Sequence, residues 1–516
     1  MKKITYFFFL VLIAGCSLGS KSPKAIYTYT VDLKDLENDQ AVITLDVSGL
    51  DEDTVDFVMA AYTPGFYEQL HNATLVTEVK ASAEDGSNLP VIKADDNRWR
   101  IPNASSLTTI TYRIDDVEEV REDVSASLPH ENLFERGKGF QFIPAASFGY
   151  LDNVQTDSIS INVTKPFGLS VFSAREKVTS EGQQLVYSAS SIPELFKYPL
   201  LFTNQQSESF EELNTTIDVA WYSEDENLSS DQFLPAIQQA IKDVSAYMDI
   251  DFPAAYYSFQ LWFLADQNLT EISSSHYNSS SVWVIPADRD FLKQESIQQA
   301  IYEQAVREFM HIYVSQYAQS WEMRAFDYGS PTPTKHLWYV EGTTEYLTKH
   351  MQVNKRKMSE AEFRDIINAK LRETKSYQAE KPLTELSRDI FDDPEGDVLS
   401  VIKGRGFFVS MILDIKLRSS SYGQRGLKQM IQVLAREYGA DKSFYDGELF
   451  EIMANYTNQD LNAVYEQYVA DTEPLPLQNI FNRVGYNFNT EQLEIIKDPY
   501  PGVDAVELQL SWLFGK

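Results

Sequence analysis

Between residues 25 and 210 apolar and polar positions alternate. The segment QAVITLDVS puts Ala41, Ile43, Leu45 and Val47 on one face and Val42, Thr44 and Asp46 on the other. DSISINVTK repeats the pattern with Ile159, Ile161 and Val163. A period of two bounded by turn residues predicts half-buried strands, because successive side chains leave a strand on opposite faces. From about Asp231 the period lengthens to that of a helix. QESIQQAIYEQAVREFMHIYVSQYAQ reads as one long amphipathic helix, with Ile297, Ile301, Phe309 and Ile312 among its apolar positions. SEAEFRDIINAKL opens with Ser359 and Glu362 at capping-box spacing, and DLNAVYEQYVAD reads as another helix. The expected class is α+β in several domains: an N-terminal β-sandwich-like domain over 25–210, a mixed middle over 211–350 and a helical lobe over 351–486.

The N-terminus changes the picture of where such a body sits. Two lysines precede an apolar run from Ile4 to Ala14, too short to span a bilayer and typical of a secretory signal. The run ends Ile13-Ala14-Gly15-Cys16, which resembles a lipobox. Cys16 is the only cysteine, so no intramolecular disulfide is available to it. Residues 1–15 are thus expected to be a lipoprotein signal, 16–24 a lipidated tether, and Cys16 the acylated N-terminus. The expected location is a bacterial cell envelope, anchored by lipid, with the body in the periplasm or on the cell surface.

The chain has 516 residues and a net charge of -32, from 44 Lys+Arg against 76 Asp+Glu. That balance argues against nucleic acid as a partner and against polybasic binding to anionic lipid. With 29 Tyr and 30 Phe the mature chain can build real cores and is not a disordered segment.

The candidate chemistry lies on the long helix, in VREFMHIYVSQ. Arg307 and His311 are i and i+4 and share one helical face. Two histidines at that spacing can grip one zinc ion, and Glu308 beside them could activate a metal-bound water. Here the first position is Arg307, so the H-E-x-x-H pattern is incomplete. By itself E-x-x-H is a common string, met wherever a surface glutamate precedes a core histidine.

Thirty residues on stands HLWYVEGTTEYLTKH. Leu337, Trp338, Glu341, Gly342, Thr344 and Tyr346 match the L-W-x-x-E-G-x-T-x-Y pattern of the glycyl-aminopeptidase-like gluzincins, which the chain resembles. AYTPGFY (61–67), MILDIKLR (411–418) and YVADTEPLPLQNIFNRVGY (468–486) are similar to further stretches of that family, in the family's order. The resemblance implies a thermolysin-like region over 211–350. It also implies His311 and Glu341 as metal ligands, Glu308 as general base and zinc as cofactor. Family members often end in a PDZ domain. Segments below about 40 residues seldom fold alone, so 487–516 is expected to be a tail packed on the body.

Carried over residue by residue, the resemblance fails at three points. The first zinc histidine falls on Arg307, and an arginine cannot lose its proton to coordinate. The family's amine-holding glutamate falls on Ser275 in ISSSHYNSS, beside a retained His276, leaving Ser275 and His276 as the substrate-binding candidates. A tyrosine pair expected to stabilise an oxyanion falls on Ile402 and Lys403. Glu345 and His336 are the candidates for a replacement zinc ligand. The favoured expectation is a catalytically inactive, lipid-anchored pseudopeptidase without a cofactor, whose cleft binds peptides or a protein partner. The alternatives are an active zinc aminopeptidase with a rearranged metal site, and a purely structural or scaffolding surface lipoprotein. Arg307 is expected to stand in for the metal's charge by forking onto Glu341, or failing that onto Glu345.

Overall fold

The computed structural model describes residues 24–515 except 38–39, 118–127, 176–178, 226, 267–268, 288–290, 318, 374–379, 393–396, 440–441 and 458–460. The signal segment and Cys16 lie outside the described residues.

Alternation builds the N-terminal domain. An eight-stranded sheet runs in the order Thr179–Glu181, Gln184–Ala189, Thr156–Thr164, Ala25–Glu37, Gln40–Ser48, Leu107–Ile114, Val76–Ala83, Asn88–Leu89. In Gln40–Ser48 the buried positions are Ala41, Ile43, Leu45 and Val47, and in Thr156–Thr164 they are Ile159, Ile161 and Val163. That inner face shares one core with Phe57 and Ile101 of a four-stranded sheet and with Phe140 and Phe202 of another. The domain is therefore sandwich-like, each sheet hiding its apolar face against the others.

The middle is a five-stranded mixed sheet in the order Glu208–Glu212, Thr215–Ser223, Tyr256–Leu264, Ser280–Pro286, Ser273–Tyr277. Its three central strands are parallel and its two edge strands antiparallel. Helix Leu234–Met248 makes the crossover that the first parallel pair needs. The central strands read as unbroken apolar runs because both faces are covered: Ser280–Pro286 is buried throughout. The expected break after residue 210 falls inside a strand of this sheet. Hydrogen bonding puts the change of sheet between Leu200–Thr203 and Glu208–Glu212.

The predicted long helix spans Gln294–Tyr317. Ile297, Ile301, Phe309 and Ile312 are all buried. Phe309 sits among Phe252, Tyr257 and Phe259 at ring separations of 4.7, 5.1 and 5.8 Å. Burying one phenylalanine contributes about 1.5–3 kcal/mol, which pins the rotation of this helix on the sheet. Two further helices complete the centre, Leu337–Asn354 and Asp397–Ser420. The first runs across the expected break at 350. The Ser359/Glu362 capping box forms as its spacing requires, with Ser359 N donating to Glu362 at 2.7 Å and Glu362 N to Ser359 at 3.2 Å. Helix Asn462–Tyr468 is shorter than its sequence suggests. The C-terminal stretch is a hairpin, Tyr486–Asn489 with Glu494–Lys497, followed by helix Val503–Phe514, whose Trp512 is fully buried.

Helices Leu337–Asn354 and Asp397–Ser420 touch backbone to backbone. A Cβ on Gly342 would lie 2.3 Å from the Gly406 carbonyl carbon, and one on Gly406 would lie 2.6 Å from the Trp338 oxygen. The glycine after Glu341 is thus a packing requirement. It lets the second helix approach closely enough for Lys403, one turn before Gly406, to face Glu341. Gly342→Ala is expected to destabilise the protein by about 1–3 kcal/mol in thermal or urea unfolding, because the clashing atoms are backbone and cannot move aside. A parent-like unfolding curve would refute this packing.

Candidate functional site

The long helix presents Gln304, Arg307, Glu308 and His311 along one stripe, at spacings of three and four. Opposite it lies the edge strand Ser273–Tyr277. Its period of two turns Ser274 and His276 towards the helix and Ser275 away. Ser274 and Gln304 both donate to Glu308 Oε1, at 2.7 and 2.8 Å. Glu308 Oε2 is buried and accepts no hydrogen bond. The His276 ring lies on the His311 ring with centroids 3.8 Å apart, and His276 Nδ1 is 3.8 Å from Glu308 Oε2. Burial and the neighbouring His311 push the His276 pKa well below the usual histidine value. The ring is therefore neutral, and its approach to Glu308 is a dipolar contact.

Glu341 faces this stripe from helix Leu337–Asn354 and is 4% exposed. Its Oε1 takes a hydrogen bond from the Tyr67 hydroxyl at 2.7 Å and lies 3.2 Å from His311 Nε2. Lys403 Nζ stands 3.9 Å from its Oε2. Burial works against this carboxylate. The His311 contact and the charges of Lys403, His311 and Arg307 outweigh it and hold its pKa well below the ordinary range.

Arg307 does not do what was expected of it. Among the described residues it forms no hydrogen bond or ion pair with Glu341 or Glu345. Its influence on Glu308, Glu341 and Glu345 is through space, and against the opposing effect of burial they raise its pKa. The direct contacts to Glu341 come from His311, Tyr67 and Lys403. Glu345 is held by Lys370 at 2.7 Å. His336 is buried, with Nε2 2.6 Å from the Asp446 carbonyl oxygen and Nδ1 accepting from Trp338 Nε1 at 3.3 Å. Neither is free to replace a missing ligand.

Ser275 and His276 separate. His276 is in the cleft, whereas the Ser275 hydroxyl lies 3.2 Å from Nδ1 of the buried His130. Lys403 borders the cleft and Ile402 is buried away from it. Residues that sequence reasoning did not assign to the site complete it. Tyr67 ends the AYTPGFY stretch, whose turn presses Gly65 onto His276. A Cβ at Gly65 would meet His276 Cε1 at 2.9 Å, and φ is +85° there. Gln304 could have been found from its i, i+4 relation to Glu308. Tyr67 lies in the AYTPGFY stretch that resembles the family, but nothing in that stretch pointed to Glu341; Ser274 carried no local signal, since both meet the helices only through the packing of separate elements.

Whether zinc fits can be judged from the donors. His311 Nε2 and Glu341 Oε1 are about as far apart as two ligands on one tetrahedral zinc with bonds of ~2.0–2.1 Å. A catalytic site needs a third protein ligand. Arg307 holds that position and cannot coordinate. The His276 ring lies tilted against the His311 ring, with its Nδ1 3.8 Å from Glu308 Oε2. Lys403 and Arg307 add two positive charges where a dication would lie. The residues present do not fit a catalytic zinc.

Two families match the chain: the Peptidase M61 N-terminal domain over residues 28–204 and M61 glycyl aminopeptidase over residues 302–395. Together they cover more than half of it. No curated protein matches. An aminopeptidase N family protein from Idiomarina loihiensis superposes with a TM-score of 0.73 at 15% identity, over 89% of this chain and 78% of its own. At that identity the likeness establishes the fold, with a sheet-rich N-terminal part and a helical C-terminal part. An M1 zinc metallopeptidase from Deinococcus radiodurans reaches 0.48 at 10% identity, over 88% and 95% of the two chains, too low to carry an argument.

Proposed function

Because the chain belongs to the M61 glycyl aminopeptidase family, and is metallopeptidase-like in fold, we propose that it is a non-catalytic member that keeps its cleft for binding peptides. The observation that carries this reading is the pair of cations lining the chamber that holds His311 and Glu341. Arg307 replaces the first ligand, and Lys403 stands 3.9 Å from the carboxylate that would be the third. Glu308 has lost its partner in chemistry: its hydrogen bonds come from Ser274 and Gln304, and no activated water is within its brief without a Lewis acid nearby. The cleft itself persists as a cavity of about 410 Å³ bordered by Phe66, Tyr67, Ile272, Arg307 and Lys403. That is within the ordinary range for small-ligand sites.

The expected result is no chelator-sensitive hydrolysis of glycyl or alanyl aminoacyl substrates by the purified body, at any zinc concentration that leaves it folded. Zinc-dependent turnover that disappears in Glu308→Gln would instead establish an active enzyme with a rearranged centre.

We further propose, from the lipobox-like ending Ile13-Ala14-Gly15-Cys16, that lipid on Cys16 holds the body at a bacterial cell envelope. The mature protein is expected to begin at Cys16, to partition into detergent, and to lose lipid labelling in Cys16→Ser. A mature N-terminus elsewhere would remove the anchor.

A further inference from the structure

Arg307 and Lys403 reach the cleft from opposite walls, one from helix Gln294–Tyr317 and the other from helix Asp397–Ser420. Both border the 410 Å³ cavity and also the small inner chamber next to His311 and Glu341. Among the described residues neither makes a hydrogen bond. Among the described residues the Arg307 guanidinium, with its five donors in a fixed fork, makes no hydrogen bond or ion pair. The nearest carboxylate oxygen to Lys403 is the one on Glu341, at 3.9 Å, beyond hydrogen-bond reach. Leaving a guanidinium without a direct partner, beside an ammonium whose ion pair is too long for a hydrogen bond, is costly in a cleft unless an acceptor visits it.

The surrounding charges say what kind of acceptor. Glu345 is already paired with Lys370. At the inner chamber that leaves Arg307 and Lys403 against Glu308 and Glu341, two charges of each sign; Glu68 and Glu271 also border the cavity, but both are exposed and screened by water. A dianion such as a phosphate would meet both carboxylates at close range. A monoanion with two coplanar oxygens matches the guanidinium fork and adds the least repulsion. Leu269, Ile272 and Leu399 give the cavity an apolar part among its polar lining.

We infer that the cleft is a carboxylate receptor: Arg307 and Lys403 hold the free C-terminal carboxylate of a short peptide, whose chain runs out along Ile272 and Leu399. This rests on the reading of the cleft as retained for binding and names what it recognises.

The test compares N-acetyl-trialanine with its C-terminal amide and with unacetylated trialanine amide, by calorimetry on the purified body. Acetate serves as a fourth ligand, to separate a peptide terminus from a small free acid. The free-acid peptide is expected to bind about 10-fold or more tightly than its amide, since one charge-assisted pair is gained. It is also expected to bind more tightly than acetate, and Arg307→Gln and Lys403→Gln should each abolish the difference between acid and amide. The comparison on the parent protein needs no variant, so misfolding of either substitution leaves the answer intact. Equal binding of acid and amide, or preference for the free-amine amide, overturns carboxylate recognition while leaving an inactive peptide-binding cleft standing. Acetate binding as tightly as the peptide overturns the peptide terminus as the ligand. No binding of any of the four overturns both this inference and the peptide-binding reading beneath it.

Discussion

Protein equilibrated with excess Zn²⁺ and then desalted is expected to retain far less than one equivalent of metal, whereas Arg307→His retains close to one. The parent offers His311 and Glu341 alone, and Glu341 Oε1 is already occupied by the Tyr67 hydroxyl at 2.7 Å and by His311 at 3.2 Å. Disturbing a group one shell out from a zinc ion costs about 10–100-fold in affinity. A missing direct ligand costs more, so restoring it should raise affinity by more than ~100-fold. The substitution also removes one of the two positive charges at the site. Turnover is not expected to return with the metal, because Lys403 still faces Glu341 and Tyr67 still holds its oxygen. Atomic absorption on both forms, beside an aminopeptidase assay, checks both halves. One equivalent of zinc in the parent would overturn the account of the site given by its donors.

The second large effect lies away from the cleft. Asp414 and Arg418 form a buried i, i+4 pair at 3.1 Å, 1% and 4% exposed. Tyr346 donates to Asp414 Oδ2 at 2.6 Å and Leu427 N to Oδ1 at 2.7 Å. Trp512 Nε1 donates to the Tyr346 hydroxyl at 2.8 Å, and Arg418 donates to the Ser511 carbonyl at 2.9 Å. This network ties the helix carrying Glu341 to the helix carrying Lys403 and to the C-terminal helix. Arg418→Met strands the Asp414 carboxylate and is expected to cost about 3–5 kcal/mol in urea unfolding at pH 7. A loss under ~1 kcal/mol would contradict the network.

The pH dependence has a definite sign. Burial raises the Asp414 pKa, but Arg418, His350 and the Tyr346 hydrogen bond outweigh it and leave it depressed. A depressed carboxylate contributes stability above its unfolded value, about 3.9, and loses it as pH falls through the folded value. The parent should therefore weaken below about pH 4. In Arg418→Met the stranded carboxylate should take up its proton at a higher pH than in the parent.

Much of the architecture was legible along the chain because its causes are local. The alternation that buries Ala41, Ile43, Leu45 and Val47 follows from strand geometry alone, and the 294–317 helix from the spacing of Ile297, Ile301, Phe309 and Ile312. The Ser359/Glu362 cap is a contact between residues three apart. That Arg307 cannot serve as the first zinc ligand also needed no structure, since its side chain lacks the chemistry whatever its surroundings.

What the residues around Glu341 do was decided by tertiary packing. Arg307 shares a helix face with His311, and helical spacing allowed it to fork onto Glu341. Among the described residues it has no direct partner, because Tyr67 from the β-domain and Lys403 from a third helix face that carboxylate instead. Tyr67 is 274 residues from Glu341 along the chain. Lys403 reaches it only because Gly342 and Gly406 let two helices meet backbone to backbone. Ser275, next to His276 in sequence, faces His130 because a strand sends neighbours to opposite sides. Local periodicity sets which residues share a face, but it carries no information about which face of another element will meet it; that is settled by how apolar surfaces far apart in the chain pack together.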